Sequence, residues 1–581
     1  MNMDGSETGR TTAALLRRHP AWKEKTEALF NVLTFLPSLG YGFLVEWDDG
    51  GFVTHNPHLA LSWENLHYNL TANLQGVYTP LTALWLMIDN AVFGGTPAGF
   101  HLVNLLLYGG CAAMLCLIMR ELRIPPVAAV VLTLLWAWNP CKIETVGWIA
   151  ERKGLASAFL AFCAMRLFLP ACRRGRPSWS AALLTFAAFF FKPWVLPLPG
   201  VMAVYAWMLY PRDFRKLLNL LGPVAAAGIL GAAIVSAVTF SELSGSQKPE
   251  AADYAGLLLR YAGAAFAPLS LNPLHPAAGF ARMWPEALWG AAVLGCLWAA
   301  GFANFGPKRG LRLSLAFTVS LAGLALPVLS SGSFTNTNYA DRYGFLLSAL
   351  LWCWAGVAGS CWFRRFPRIS AAAAALLAGG YLLAGYVYAE TFSDARLLFA
   401  RAAAEPDCPA KAIDGLALVG LNRNDPGLVY EAGTLFLARA ALQPAPVRRS
   451  YEATGALLTA LAPAMTGGNP AAERKLASLL EHLDLPAVYS PTAFLARAWG
   501  IAAARLLRDG EKARALRMLE CQLERGDGGS YELAFASGLY GYLTGDRERA
   551  VAGWKKALML KPGDERARLN LKNAEAMHGS E

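Results

Sequence analysis

Residues 98–118 read AGFHLVNLLLYGGCAAMLCLI and contain no Asp, Glu, Lys or Arg. At about 1.5 Å per helical residue, a run of this length crosses a hydrocarbon core about 30 Å thick. His101, near its start, reads as a hydrogen-bonded structural residue, with a ligand role in a pocket as the alternative. Working outward, comparable apolar runs lie near 28–46, 124–139, 153–170, 178–191, 193–210, 216–240, 286–304, 311–329, 343–361 and 370–389. Together they predict about eleven spans, of which those near 124, 178 and 193 are short or contain proline. Composition agrees, because a chain with 55% apolar residues, 16% charged residues and a mean hydropathy of +0.34 is too oily for an ordinary soluble enzyme. Apolar runs of this length stop at Glu390. The expected fold class is therefore all-α, a polytopic membrane unit followed by a soluble helical domain.

The net charge of +11 does not form one face or tail; Lys and Arg sit in short clusters between apolar runs, a pattern that speaks against a nucleic-acid partner. Cationic loops resist translocation. Placing the N-terminus in the cytoplasm puts Arg120–Arg123, Arg173–Arg176, Arg212–Lys216, Lys308–Arg312 and Arg364–Arg368 on the inside. The first run follows Arg10, Arg17, Arg18, Lys23 and Lys25, lacks a small-residue cleavage site, and reads as a retained signal anchor. The expected organisation is a cytoplasmic segment 1–26, a membrane unit 27–390 and an extracytoplasmic domain 391–581, set in the inner membrane. On the outer side this leaves a long loop from Glu46 to Pro97 and another from Ser241 to Pro285. The ten cysteines include no CxxC pair and fall mostly inside apolar runs.

Residues 391–581 are alanine-rich, with helical patterning broken by turns such as Arg423-Asn424-Asp425-Pro426. Gly538, Gly545, Ala550, Trp554, Ala557 and Pro562 fall at the offsets of a tetratricopeptide repeat, and Gly510 with Ala515 hold the same spacing in a weaker copy. Such a solenoid either holds an extended peptide or a partner protein in its groove or packs as a cap on the membrane unit.

Chemistry-bearing residues gather on the outer side. Asp48 and Asp49 follow the first run directly: one can act as a general base, or both are a solvated loop start. Asp89 interrupts an apolar stretch. Glu144 and Glu151 are seven residues apart, which on a helix puts them on one face with Trp148 between them. Glu151 has Arg152 and Lys153 next to it as internal salt-bridge partners. Lys192 either snorkels to the interface or faces a lipid-borne phosphate. Asp341-Arg342-Tyr343 offers a fork-shaped donor for phosphate oxygens, and Asn336 and Asn338 in the loop before it are polar pocket candidates. No HExxH, nucleophile elbow, Walker loop or Rossmann fingerprint occurs, and the histidines lack the spacing of a metal site.

Taken in order, Trp47-Asp48-Asp49-Gly50, Thr54-His55-Asn56-Pro57-His58, Tyr78-Thr79-Pro80, Asn104, Glu144-Thr145-Val146-Gly147-Trp148, Glu151-Arg152-Lys153, Phe191-Lys192-Pro193 and Ala340-Asp341-Arg342-Tyr343 resemble the ordered motifs of bacterial relatives of the TMTC proteins. Those are membrane O-mannosyltransferases of the GT-C class with C-terminal tetratricopeptide repeats. The resemblance implies an inverting transfer of a hexose such as mannose from a polyprenyl-phosphate carrier to a hydroxyl, a protein Ser or Thr. It puts the catalytic base on Asp48 or Asp49. It implies that Lys192, Arg342, Arg152 and Lys153 hold the donor phosphate, with the lipid entering from the bilayer. This chain has Thr79, Phe100, Asn139 and Lys142 where histidines are common in that family, which speaks against a histidine-built metal site. The alternatives are a non-catalytic scaffold that gathers envelope proteins and a transporter of lipid-linked sugar.

Overall fold

In the computed structural model, the structure describes residues 35–74, 76–239, 251–275, 280–335, 339–405, 407–483, 488, 491–525 and 530–577. Residues 28–34 of the first predicted span, the 1–26 segment, Asn336 and Asn338 lie outside them. The chain is all-helical, 82% helix with no strands among the described residues. Its contacts divide it into two compact units, residues 1–402 and 403–581. The division falls after Ala402 and not at Glu390 because Phe392 and Phe399 are buried with the first unit, the latter stacked on Trp47 at 5.7 Å.

In the first unit, five described helices are long and apolar enough to cross a membrane: Pro97–Glu121, Ile149–Arg173, Phe214–Thr239, Met283–Leu326 and Pro367–Phe392. A sixth crossing arises if Pro126–Trp138 and Pro140–Gly147, bent by 62° at Asn139, count as one. By length and composition these are the helices of a membrane protein. Many begin with proline in the first turn (Pro80, Pro97, Pro126, Pro367), where a missing N–H costs no hydrogen bond.

The predicted runs 286–304 and 311–329 are two arms of one element, Phe280–Thr335, broken at Gly306 with φ 75° and ψ 173°. A side chain rarely adopts that φ, and glycine adopts it without steric cost. The arms run antiparallel, since Trp298 Nε1 donates to Thr318 Oγ1 at 3.2 Å.

Among the described residues, the predicted outer loops carry helices. Residues 46–97 contain helices Trp63–Thr71 and Pro80–Phe93, and the second stretch contains Ala251–Ala264. Ser62 caps the first of these by accepting from Asn65 N–H. Each of the three is too short to stand out as a span, so run length alone passed over them.

Burial separates centre from rim. In Pro97–Glu121 and Ile149–Arg173, 61% of the apolar window is buried, against 22% in Phe214–Thr239 and 6% in Pro367–Phe392. The first two pack on each other and form the centre, and the last two present leucines and isoleucines such as Ile229, Leu376 and Leu383 outward.

At one end of this bundle the basic connections meet. Arg173 pairs with Glu121, Tyr210 donates to the carbonyls of Cys172 and Arg173, and Arg312 donates to those of Trp207 and Met208. The five clusters named above hold fourteen Lys and Arg against two acids, Glu121 and Asp213. The acid-rich segments described next lie at the opposite ends of the same helices.

The second unit is a succession of helices from Ala410–Asn422 to Glu565–Glu575, each packed on the next. Asp425, Asn469, Ser530, Asp546 and Asp564 cap helix N-termini through their side chains. Trp554 is buried against Gly538, while Gly553 approaches the Gly538 backbone, so the small residues admit the close pairing that the aromatic ring completes.

Candidate functional site

The site is built around one short segment. Helix Pro126–Trp138 ends at Asn139, whose Oδ1 accepts from Cys141 N–H and whose Nδ2 donates to the carbonyls of Ala264 and Ala265. The chain then makes a 3₁₀ turn at Pro140–Lys142, a short helix at Ile143–Gly147, an extended step at Trp148, and a second 3₁₀ turn at Ile149–Glu151 before helix Arg152–Arg173 begins. Glu144 and Glu151 therefore do not share a helix face as the spacing predicted. The extended Trp148, at φ −103° and ψ 118°, turns them toward different partners.

Nearly every side chain of this segment is buried, so its charges must be paired. Glu144 receives both the backbone N–H and the guanidinium of Arg342, the former at 2.8 Å. Glu151 pairs with Lys192, Nζ to Oε1 at 2.6 Å, and not with its neighbours Arg152 or Lys153. Gly154 makes room for that pair, since a Cβ there would lie 2.1 Å from Glu151 Oε1. Arg152 is fully buried and donates to Asp89, to Asn104 Oδ1 at 2.7 Å and to the Phe100 carbonyl. Lys153 lies 3.6 Å from Asp48. Lys142, also buried, donates to Ser348 Oγ at 2.7 Å.

The two leading acids part company. Asp49 is fully buried, with Oδ2 accepting from Leu44 N–H at 2.9 Å and Oδ1 from Ala150 N–H at 2.8 Å. It ties the Val45–Thr54 turn to the central segment. Burial pushes its carboxyl up to about 7 against the pull of those two amides. The solvated reading fails for Asp49. Asp48 keeps a side chain about one-third exposed beside Lys153, and of the two it has the freer oxygens.

Aromatic rings link the charges. Trp148 lies between Lys153 at 5.1 Å and Arg342 at 5.2 Å, and Tyr343 lies beside both Arg342 and Lys192. Lys192 Nζ sits 3.2 Å from the centre of Trp194. Lys192 does not snorkel: it is 7% exposed, and burial pulls its ammonium down to about 7, opposed by Glu151. His101 is buried, with Nε2 3.5 Å from the Gly42 carbonyl oxygen.

No family model matches this chain, and no curated protein matches it.

A narrow cavity opens between these groups, lined by Thr145, Glu151, Gly154, Ser157, Trp194, Arg342 and Phe345, with room for about one water molecule. Sequence reasoning brought Glu151, Lys192 and Arg342 into consideration. It did not single out Thr145, Ser157 and Trp194, although each lies within a few residues of a candidate charge. The anchor beneath Arg342 joins Asp341, a candidate from the sequence, to Arg260 and His275, which are not. Arg260 donates to His275 Nδ1 at 3.0 Å, and His275 Nε2 lies 3.0 Å from Asp341 Oδ1. A guanidinium cannot accept, so Nδ1 is the acceptor and the imidazole proton sits on Nε2, facing Asp341. Tyr388 donates to the other Asp341 oxygen at 3.4 Å. Asp341 therefore holds the turn that presents Arg342 to Glu144. Among the described residues, no group of three His, Cys, Asp or Glu is arranged to hold a metal ion.

Proposed function

We propose that this protein is a membrane glycosyltransferase of the GT-C type that moves a hexose from a polyprenyl-phosphate carrier to a hydroxyl acceptor. The single observation that carries this reading is the convergence, on residues 139–153, of an acid from the first outer turn with two cations from distant segments, Lys192 and Arg342. In this reading Asp48 takes the proton of the incoming hydroxyl as its oxygen attacks the anomeric carbon with inversion, and Asp49 positions the turn that carries it. Lys192 and Arg342 compensate the charge that grows on the departing phosphate, an effect strengthened by the low dielectric of a buried site. Lys153 and Arg152 support the site from behind, each through its own acid. The basic end of the bundle faces the cytoplasm of the inner membrane, which puts the N-terminus inside and the site and the C-terminal unit outside. That unit is a tetratricopeptide-type solenoid that holds the acceptor protein or peptide, supported by Gly538, Gly553 and Trp554 packing at repeat offsets.

The test is direct transfer. The purified chain in lipid nanodiscs, given a mannosyl or glucosyl polyprenyl phosphate and envelope protein, should add a hexose detectable by mass spectrometry. Asp48→Asn should lower the rate by about 100- to 10,000-fold. A second reading, a non-catalytic scaffold, is favoured by one observation: Lys192, Arg342 and Arg152 each already have an acid of their own. It expects no hexose transfer, with a phenotype that survives Asp48→Asn and disappears on deletion of residues 403–581.

A further inference from the structure

The cavity beside Glu151 has two polar atoms with nothing to bond. Glu151 gives Oε1 to Lys192, while its Oε2 is buried without a partner; Thr145 Oγ1 is likewise buried and unpartnered. Both residues are at most 1% exposed and both line the same space. Leaving a buried acceptor and a buried hydroxyl unpaired is costly, so the arrangement calls for a group that fills both needs at once. The nearby Ser157 does not: its one O–H proton is shared between the carbonyls of Ala188 and Lys192, and its oxygen bonds neither Thr145 Oγ1 nor Glu151 Oε2.

The surroundings narrow the chemistry of that group. An anion cannot donate to the Glu151 carboxylate. A cation would enter beside Arg342 and close to Lys192. What remains is a neutral group that both donates and accepts, of the size of one water: a hydroxyl. Gly154, Ala158, Phe345 and Leu346 supply apolar walls around it. A whole sugar ring does not fit in a space of this size, but one hydroxyl projecting from a ring outside it does.

We infer that the Glu151–Thr145 cavity is a subsite for one hydroxyl of the sugar head of the lipid-linked donor, which donates to Glu151 Oε2 and accepts from Thr145 Oγ1. This rests on the glycosyl-transfer reading and assigns to the site a preference for the glycosylated carrier over the bare one. Thr145 is then a specificity-determining residue, and Lys192 and Arg342 recognise the phosphate that both carriers share.

The experiment compares polyprenyl phosphate with its mannosyl and glucosyl forms, measured by native mass spectrometry on the full chain in nanodiscs. The wild type should hold at least one glycosylated carrier about ten-fold more tightly than the bare carrier, the scale of one well-made hydrogen-bonded contact. Thr145→Val, which keeps the shape and loses the hydroxyl, should abolish that preference and leave the bare carrier unchanged. Thr145→Ser should restore it. Equal affinity for bare and glycosylated carriers in the wild type would mean that the cavity holds a trapped water only, and the subsite would be rejected. A Thr145→Val variant that weakens all three carriers alike would reject it too. Arg342→Gln separates the two readings: it should weaken all three carriers, and if it weakens none the phosphate assignment fails on its own account. Absence of binding by every carrier would overturn both.

Discussion

Asp89→Asn tests whether the buried charges in the centre of this protein hold it together. Arg152 has no exposed surface and bonds three groups, of which Asn104 and the Phe100 carbonyl are neutral. Among the described residues, Asp89, 3% exposed, is the carboxylate paired directly with it, and Asp49 acts on its charge from further off. Replacing the acid by its amide keeps an oxygen that can accept but leaves the guanidinium without its directly paired carboxylate in the interior. Breaking a buried pair in this way costs about 3 to 5 kcal/mol, and the retained acceptor puts asparagine at the lower end, about 3 kcal/mol. The same loss at an exposed pair would be about 0 to 1 kcal/mol. The assay is denaturant unfolding of the detergent-solubilised chain for Asp89→Asn, Arg152→Met and the double variant Asp89→Leu/Arg152→Met. The double variant should be far less damaged than the two single losses added together, because it removes both charges at once. A loss of under about 1 kcal/mol in Asp89→Asn, or simple additivity in the double variant, would refute the claim that these charges are dry and mutually dependent.

Three further outcomes follow from the same geometry. Burial holds the Lys192 ammonium at about 7, and a lysine is cationic below its pKa, so affinity for a glycosylated polyprenyl phosphate should fall as pH rises through about 7; Lys192→Arg should flatten that profile, since a guanidinium stays charged. His275→Leu breaks the chain from Arg260 to Asp341 and should weaken carrier binding through Arg342, whereas His275→Gln, which can accept from Arg260 and donate to Asp341, should keep most of it; equal damage from both would deny the positioning role. Trp554→Ala removes a ring that is 1% exposed between two helices and should cost about 3 to 5 kcal/mol, read as early unfolding or proteolysis within residues 403–581.

Much of this molecule is visible in its sequence, and the reasons are local. Residues 98–118 are uncharged over a membrane's thickness, so a helix that keeps its own backbone bonds is the one structure that suits them. The same holds for 370–389, and for 153–170 apart from Lys153 at its start and Arg166. Asp48, Glu151, Lys192 and Arg342 attract notice because a charge beside an apolar run demands a partner or a ligand. Short helices such as Pro80–Phe93 escape notice because their length resembles that of a loop with a few apolar residues. The break at Trp148 escapes too, since it is held by tertiary contacts from distant residues, Asn104 on the Trp148 carbonyl and Asp49 on the Ala150 N–H.

What the sequence by itself determined is therefore the class of the protein, an oily helical unit and a helical tail, and the identity of the charges that need company. What only the tertiary structure decided is who answers them. Glu151 meets Lys192 and not the adjacent Arg152; Arg152 turns to Asp89; Glu144 reaches Arg342, 198 residues away. Helix geometry acts over three or four neighbours, whereas pairing in a poorly hydrated interior depends on which side chains the packing brings within about 3 Å, and that is a property of the assembled bundle.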